Sequence, residues 1–461
     1  MSQQQQAGPG TPLGSGTAAA AAAAEARLSG SAEGTRLDPW YDLYAERALG
    51  MKASEVRSLF AVANRPEVVS LAGGMPNIKD LPLDRLAEMS ARLIRDRGTK
   101  LLQYGIGQGE EEIREQIIEV MRYDHVHGHP DDVVVTTGSQ QALDLITQIF
   151  VDPGDVIVAE APSYVGALSV FRAYQAEVVH VAIDHDGLIP EKLDATLTAL
   201  AKAGKRVKLL YTVPNFHNPA GVTMSLERRP KIVEICRRHH VLIMEDNPYG
   251  LLGFYGDPMP ALKSYDADAV IYLGSFSKIF APGYRVGWAL CPHAVREKLI
   301  LAQEAAVLSP TMVGQLSIAT YLREFDWYQQ VKVYRDMYRG RRDAMLDALG
   351  NYLPDLSWTV PEGGFYTWVT LPEGLDARAM LPRAVTNLVA YTSGTAFYAD
   401  GQGGRHMRLS YCYPDEPTIR EGVRRLSEVV HGEAELVEIF GTSGHRDTPP
   451  GTVDHPEPHQ A

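Results

Sequence analysis

Ala269-Val270-Ile271-Tyr272-Leu273-Gly274-Ser275-Phe276-Ser277-Lys278 opens on five apolar residues and ends on two serines and a lysine. The apolar run reads as a buried strand, and the polar residues after it as the loop at its carboxyl end. Seven residues past the lysine stands Arg285, in Pro282-Gly283-Tyr284-Arg285-Val286-Gly287-Trp288. Lysine can hold an aldehyde as an imine. Serine hydroxyls and an arginine can hold a phosphate dianion. Ser275, Ser277, Lys278 and Arg285 together suit pyridoxal 5'-phosphate (PLP), which carries both groups. Taken alone, a lysine in a serine-containing loop is more often simply solvated.

On either side of this stretch, strand and helix signals alternate. β-rich runs stand at 133–135, 156–159, 178–182, 207–212, 241–245 and 269–273, with helical spacing between most of them. This alternation predicts an α/β fold with a mostly parallel sheet covered on both faces. Earlier, Leu86, Met89 and Leu93 predict a helix over 84–97 that Gly98 stops, and Ile113, Ile117 and Val120 predict one over 111–123. Beyond about Tyr334 the pattern becomes helix, strand (364–369), helix, strand (407–411) and a last helix over 415–431. That reads as a smaller α/β domain. The expected division is a disordered segment over 1–35, an arm and part of the small domain over 36–90, a large domain over 91–333, a small C-terminal domain over 334–440 and a disordered tail over 441–461.

Composition narrows the function. A chain of 461 residues exceeds one ordinary core. The formal charge of −13 and the lack of a basic run argue against nucleic acid or an anionic membrane as partner. Three cysteines give no disulfide framework or metal spacing and suit the reducing cytoplasm. The alanine run near the start lacks the basic flank of a signal peptide. His125, His127 and His129 alternate in a loop without supporting cysteines or carboxylates, so no metal is expected.

Other residues suited to the same chemistry fall at strand ends, where α/β sheets bind ligands. Ser139 and Gln140 follow Gly138 at a helix start, whose N–H groups can take a phosphate. The same serine would equally serve as a helix cap. Asp246 ends an apolar run and needs a partner, which a pyridinium N–H would provide. Asn218 and Tyr249 can donate to the ring hydroxyl, or be a turn residue and a core tyrosine. Tyr164 can stack on the ring or belong to the core. Arg408 lies between apolar strand residues and needs a carboxylate, either a substrate's or an internal one.

In this order the motifs resemble fold-type I PLP-dependent aminotransferases of the class I/II family over residues 36–435. They are Leu102-Gln103-Tyr104-Gly105, Thr137 to Asp144, Asn218-Pro219-Ala220-Gly221, Glu245 to Tyr249, Ser275 to Lys278 and Arg408 to Tyr411. The resemblance implies a large domain with a seven-stranded type of sheet and a smaller α/β domain. It implies Lys278, Asp246 and Tyr164 as catalytic groups, and Arg408, Asn218, Gly74 and Arg57 as substrate contacts. Tyr104 is implied to reach the cofactor phosphate of a neighbouring subunit in a homodimer. Lys52 to Arg57 and Val69 to Pro76 resemble the 2-aminoadipate aminotransferase branch, in which the arginine matching Arg57 is mobile. That implies 2-aminoadipate, glutamate, aromatic or branched-chain donors and 2-oxoglutarate as acceptor. Ile106 to Gly109 and Asn247-Pro248 depart from the usual pattern and leave the substrate open. A lyase or acyltransferase of the same fold, or a PLP-binding transcription regulator, are the alternatives. The last lacks its basic DNA-binding domain here.

Overall fold

The computed structural model describes residues 38–49, 51 and 65–441. Arg57, the segment 1–35 and residues 442–461 lie outside them. Residues 38–49 belong to a small unit with a 3-10 turn at Tyr41–Leu43 and a helical turn at Glu46–Leu49. The described chain from Met51 onward forms the second unit.

After strand β1 (Val69–Ser70) come two helices, α1 (Leu83–Leu101) and α2 (Glu111–Met121). Helix α1 does not stop at Gly98. It kinks at Arg97 and runs one more turn, because Leu101 is buried and Arg97 and Lys100 pair with Glu112 and Glu110. An eight-stranded sheet follows. Its strands are β2 (Val133–Thr136), β3 (Val156–Ala161), β4 (Glu177–Asp184), β5 (Gly187–Leu188), β6 (Val207–Thr212), β7 (Leu242–Asp246), β8 (Val270–Ser275) and β9 (Gly287–Leu290). The order is β2-β9-β8-β7-β6-β3-β4-β5. Contacts from β8 through β4 are parallel, and the two edges are antiparallel.

Two strands of this sheet escaped the sequence reading, as did the two-residue strands at 69–70, 357–358, 389–390 and 392–393. Strand β5 is a two-residue hairpin return that extends the expected seven strands to eight. Strand β9 hides in Gly287-Trp288-Ala289-Leu290, too short and glycine-led to show a period, yet every residue of it is buried. It pairs with both β2 and β8 and so joins the edge strand β2 to the rest of the sheet.

Side chains alternate across the central strands, as a pleated sheet requires. Ile157, Ala159, Leu209, Tyr211 and Met244 pack on one face with α3 (Ser139–Phe150) and α4 (Val165–Ala173). Val156, Val158, Leu210 and Ile243 pack on the other with α5 (Pro190–Lys202) and α6 (Arg228–Arg238). Helices α7 (His293–Val307), α8 (Met312–Glu324) and the long α9 (Trp327–Tyr352) follow. A smaller antiparallel sheet has the order β10 (Ser357–Trp358), β11 (Tyr366–Thr370), β14 (His406–Ser410), β13 (Thr392–Ser393). Helices α10 (Ala377–Thr386) and α11 (Glu416–Phe440) belong to the same part of the chain, and β12 (Val389–Ala390) pairs in parallel with β1.

The segment after β1 locks into the small sheet. Leu71 N–H donates to Ala390, and Ser410 N–H donates to the Leu71 carbonyl. Residues Gly73-Gly74-Met75 are thereby delivered to the carboxyl edge of the large sheet.

Candidate active site

Asp246 is the last residue of β7 and Ser275 the last of β8, so both open on the carboxyl edge. A cavity of about 410 Å³ lies there, and its wall includes Gly74, Ser139, Gln140, Tyr164, Asn218, Asp246, Tyr249, Ser275, Ser277, Lys278, Arg285 and Arg408. All of the sequence-nominated site residues but Tyr104 and Arg57 are therefore brought together. Tyr104 is 77% exposed and does not line the cavity.

Lys278 Nζ donates to the Gly74 carbonyl at 2.9 Å. Burial lowers the pKa of this amine from its usual value, with Arg408 and Arg285 adding to the effect and Cys412 and Asp246 opposing it. Asp246 is buried at the bottom. Its Oδ2 accepts from Tyr211 Oη at 2.9 Å, while Oδ1 has no partner among the described residues. Burial raises its pKa to about 6, against the Tyr211 hydrogen bond and the nearby Lys278. An unpaired buried carboxylate oxygen wants a donor.

The phosphate end is equally specific. Gly138, not Ser139, is the N-cap of α3, with φ of 75°. Ser139 is the first helical residue, and the first turn holds no acidic side chain. The cap reading of Ser139 is therefore replaced by an open helix start with a free field for an anion. Arg285 donates to the carbonyls of Thr137 and Pro282 and to Ser277 Oγ, all neutral. Ser277 N–H donates to Ser275 Oγ at 3.1 Å.

Arg408 crosses from the small sheet. Its Nη1 donates to Asn218 Oδ1 at 2.8 Å and its Nη2 to the Ala72 carbonyl at 2.6 Å. Its Nε has no partner among the described residues, and the partners of its other nitrogens, Asn218, Ala72 and Thr392, include no carboxylate. The guanidinium lies 4.2 Å from the ring centre of Tyr366 and 5.0 Å from that of Phe397. The reading that gave it an internal acidic partner finds none here. Tyr164 Oη donates to Gln140 at 3.3 Å, and burial pushes its pKa up to about 12. Tyr249 Oη lies 3.5 Å from Tyr366 Oη.

Tyr211 and Tyr366 were missed. Each is a hydroxyl inside an otherwise strand-like run, and that was the available signal. Asn247 turns away from the cavity into a buried network with Asn215 and Tyr272. His125, His127 and His129 do not line the cavity.

These donors and acceptors fit PLP: an acceptor without a partner for the ring nitrogen, an amine for the aldehyde, and an open helix start with two serines and an arginine for the phosphate. Residues 66–426 match the family model described as aminotransferase class I and II. The chain belongs to that family.

Aromatic-amino-acid aminotransferase 1 of Thermococcus litoralis is 42% identical over 89% of this chain and 99% of its own length. The crystal structure of a multiple substrate aminotransferase from Thermococcus profundus is 40% identical, covering 87% of this chain and all of its own, with a TM-score of 0.82. The α-aminoadipate aminotransferase of Thermus thermophilus, complexed with N-(5'-phosphopyridoxyl)-L-leucine, is 34% identical with the same coverage and a TM-score of 0.80. The chain is a PLP-dependent aminotransferase of fold type I.

Proposed function

We propose that this aminotransferase takes a broad set of L-amino acids (2-aminoadipate, glutamate, aromatic and branched-chain) with 2-oxoglutarate as amino acceptor. One observation carries the reading. Arg408 is a buried cation in the cavity with an unused Nε–H and no described acidic partner, and apolar Met75 and Val165 share that wall. A fixed cation suits the α-carboxylate common to all amino and 2-oxo acids, and apolar walls tolerate varied side chains. Relatives named for aromatic amino acids, multiple substrates and α-aminoadipate support the breadth.

PLP, when bound, supplies the electron sink that makes the Cα proton acidic. Lys278 Nζ would hold the cofactor and, when its amine is free, would accept and give up the proton at the substrate's Cα. Burial, which lowers its pKa, favours the neutral amine that accepts that proton. Asp246 Oδ1 holds the proton on the ring nitrogen. Asn218 and Tyr249 would donate to the ring hydroxyl, and Tyr164 would stack on the ring. Ser139, Gln140, Ser275, Ser277 and Arg285 hold the phosphate. Gly74 admits substrate past the Tyr366 hydroxyl, which a Cβ at this position would meet. The enzyme works as a homodimer, with Tyr104 of each subunit reaching the other's phosphate. Its three cysteines are free and buried, which suits the cytoplasm.

The test is a donor screen with 2-oxoglutarate that follows glutamate and 2-oxo product together. Acidic and aromatic donors should both turn over, and Arg57→Ala should weaken the acidic donors alone. Amine loss without glutamate formation would favour a lyase, and equal loss for all donors in Arg57→Ala would remove its discriminating role.

A further inference from the structure

Glu160 and His217 form a buried pair outside the cavity wall that the chemistry above does not use. Both side chains are 2% exposed, and His217 Nε2 lies 3.1 Å from Glu160 Oε2, at a bend rather than in line. The tautomer follows from the other nitrogen. His217 Nδ1 accepts the Ala220 N–H at 3.2 Å, so Nε2 carries the hydrogen and faces the carboxylate. Glu160 is anchored on the sheet. Its Oε1 accepts from Thr212 Oγ1 and its Oε2 from the Val213 N–H, both at 2.8 Å. Thr212 ends β6, and Glu160 is the penultimate residue of β3. The Glu160 carbonyl lies 2.8 Å from His180 Nδ1.

Every polar group of His217 except Nε2 grips one turn. Its N–H donates to Val222, its carbonyl accepts from Gly221, and its ring accepts from Ala220. That turn begins with Asn218, whose Oδ1 receives Arg408 Nη1. A buried carboxylate is costly, and neutral amides would satisfy the same donors without charge. What the charge adds is orientation: it fixes the imidazole's tautomer and direction, as carboxylates do behind ligating histidines.

We propose that Glu160 and His217 are positioning residues that hold Asn218 against Arg408 and so set the affinity for the substrate's α-carboxylate; this rests on the carboxylate role given to Arg408. An amide at 160 can keep an acceptor toward Nε2–H and Val213 N–H only by turning its NH₂ onto the Thr212 hydroxyl, which must then stop donating, and it has no charge to orient the imidazole.

The experiment compares holoenzymes E160Q, H217L, H217Q and R408K with the parent. E160Q and H217L should raise KM for amino acid and oxo acid alike by about tenfold, with kcat within about threefold, as expected for a lost hydrogen-bonded alignment. H217Q keeps one donor and one acceptor and should recover most of that KM. Nitrogen NMR of ring-labelled histidine should show His217 as the Nε2–H tautomer, with the Nε2 signal shifted in E160Q as its charged acceptor becomes neutral. This last readout needs no turnover, and E160Q with H217Q decide the matter if H217L fails to fold. Unchanged KM in E160Q beside a raised KM in R408K would overturn the pair while leaving Arg408 in place. Unchanged KM in R408K would instead overturn the role of Arg408. An Nδ1–H tautomer in the parent would reject the pair outright.

Discussion

At the scale of single residues, the site trades stability for chemistry at Asp246. Burial raises its carboxyl from an ordinary 3.8 to about 6, so the folded protein binds that proton more tightly than the unfolded chain. The cost of ionisation is therefore absent below 3.8 and complete above about 6. In the cofactor-free protein it amounts to about 3 kcal/mol at neutral pH. Asp246→Asn removes it, and the amide oxygen can still accept from Tyr211. Thermal melts of the cofactor-free protein at pH 7–8 should show the variant more stable than the parent, with the difference vanishing near pH 4. Its turnover should fall about ten- to a hundredfold, because a charge-assisted hydrogen bond of roughly 1.5–3 kcal/mol is lost from the loaded enzyme. Equal melting curves would mean that Oδ1 is not an uncompensated acceptor. Lys278→Ala should leave the fold intact and abolish turnover, together with the visible absorbance that borohydride fixes onto the lysine. Comparable turnover in that variant would end its assignment.

Among the elements, the turn from β2 into α3 matters most. Gly138 takes a left-handed φ that side chains resist, and a Cβ there would press on the Arg285 guanidinium. Both effects act where the phosphate is to sit. Gly138→Ala should weaken PLP binding by about tenfold by displacing the Arg285 guanidinium, and should also lower the melting temperature of the cofactor-free protein through roughly 1–2 kcal/mol of left-handed strain. An absorbance titration with PLP reads this directly. Undiminished affinity would place the phosphate elsewhere. Strand β14 does comparable work for the substrate: Arg408 pairs in register with Trp368 of β11 and Thr392 of β13, which sets the guanidinium between the Tyr366 and Phe397 rings.

For the molecule as a whole, the open question is what covers Tyr104. Leu102, Tyr104 and Ile106 are exposed, and so are Leu308 and Val313. The 105–107 stretch lies against Met312 and Glu304, so these residues share one face. An apolar face of this kind suits a second copy of the chain. Heterodimers of Lys278→Ala with an inactive Tyr104 variant should regain activity, because one of the two sites then combines an intact lysine with an intact partner tyrosine. A fully active monomer by sedimentation, or no recovery in verified heterodimers, would reject the shared site. Among the described residues no helix is long and apolar enough to cross a membrane.

The alternation of apolar runs was enough to give the α/β class and the strands β2, β3, β4, β6, β7 and β8, because each is a short run rich in apolar and β-branched residues, buried in all but β4. The lysine, the aspartate and the arginine could be nominated because each is a charge placed at the end of, or inside, an apolar strand, where it needs a partner. Strand β9 and the extra turn of α1 were illegible, since a glycine-led quartet and a residue beyond Gly98 owe their structure to burial against distant segments. The same holds for the partners that make the site work. Tyr211 reaches Asp246 from 35 residues away and Asn218 reaches Arg408 from 190. Residue type fixes what a group can do locally; only the packing of two sheets and the segment between them decides which unpaired oxygen, amine and guanidinium face one cavity.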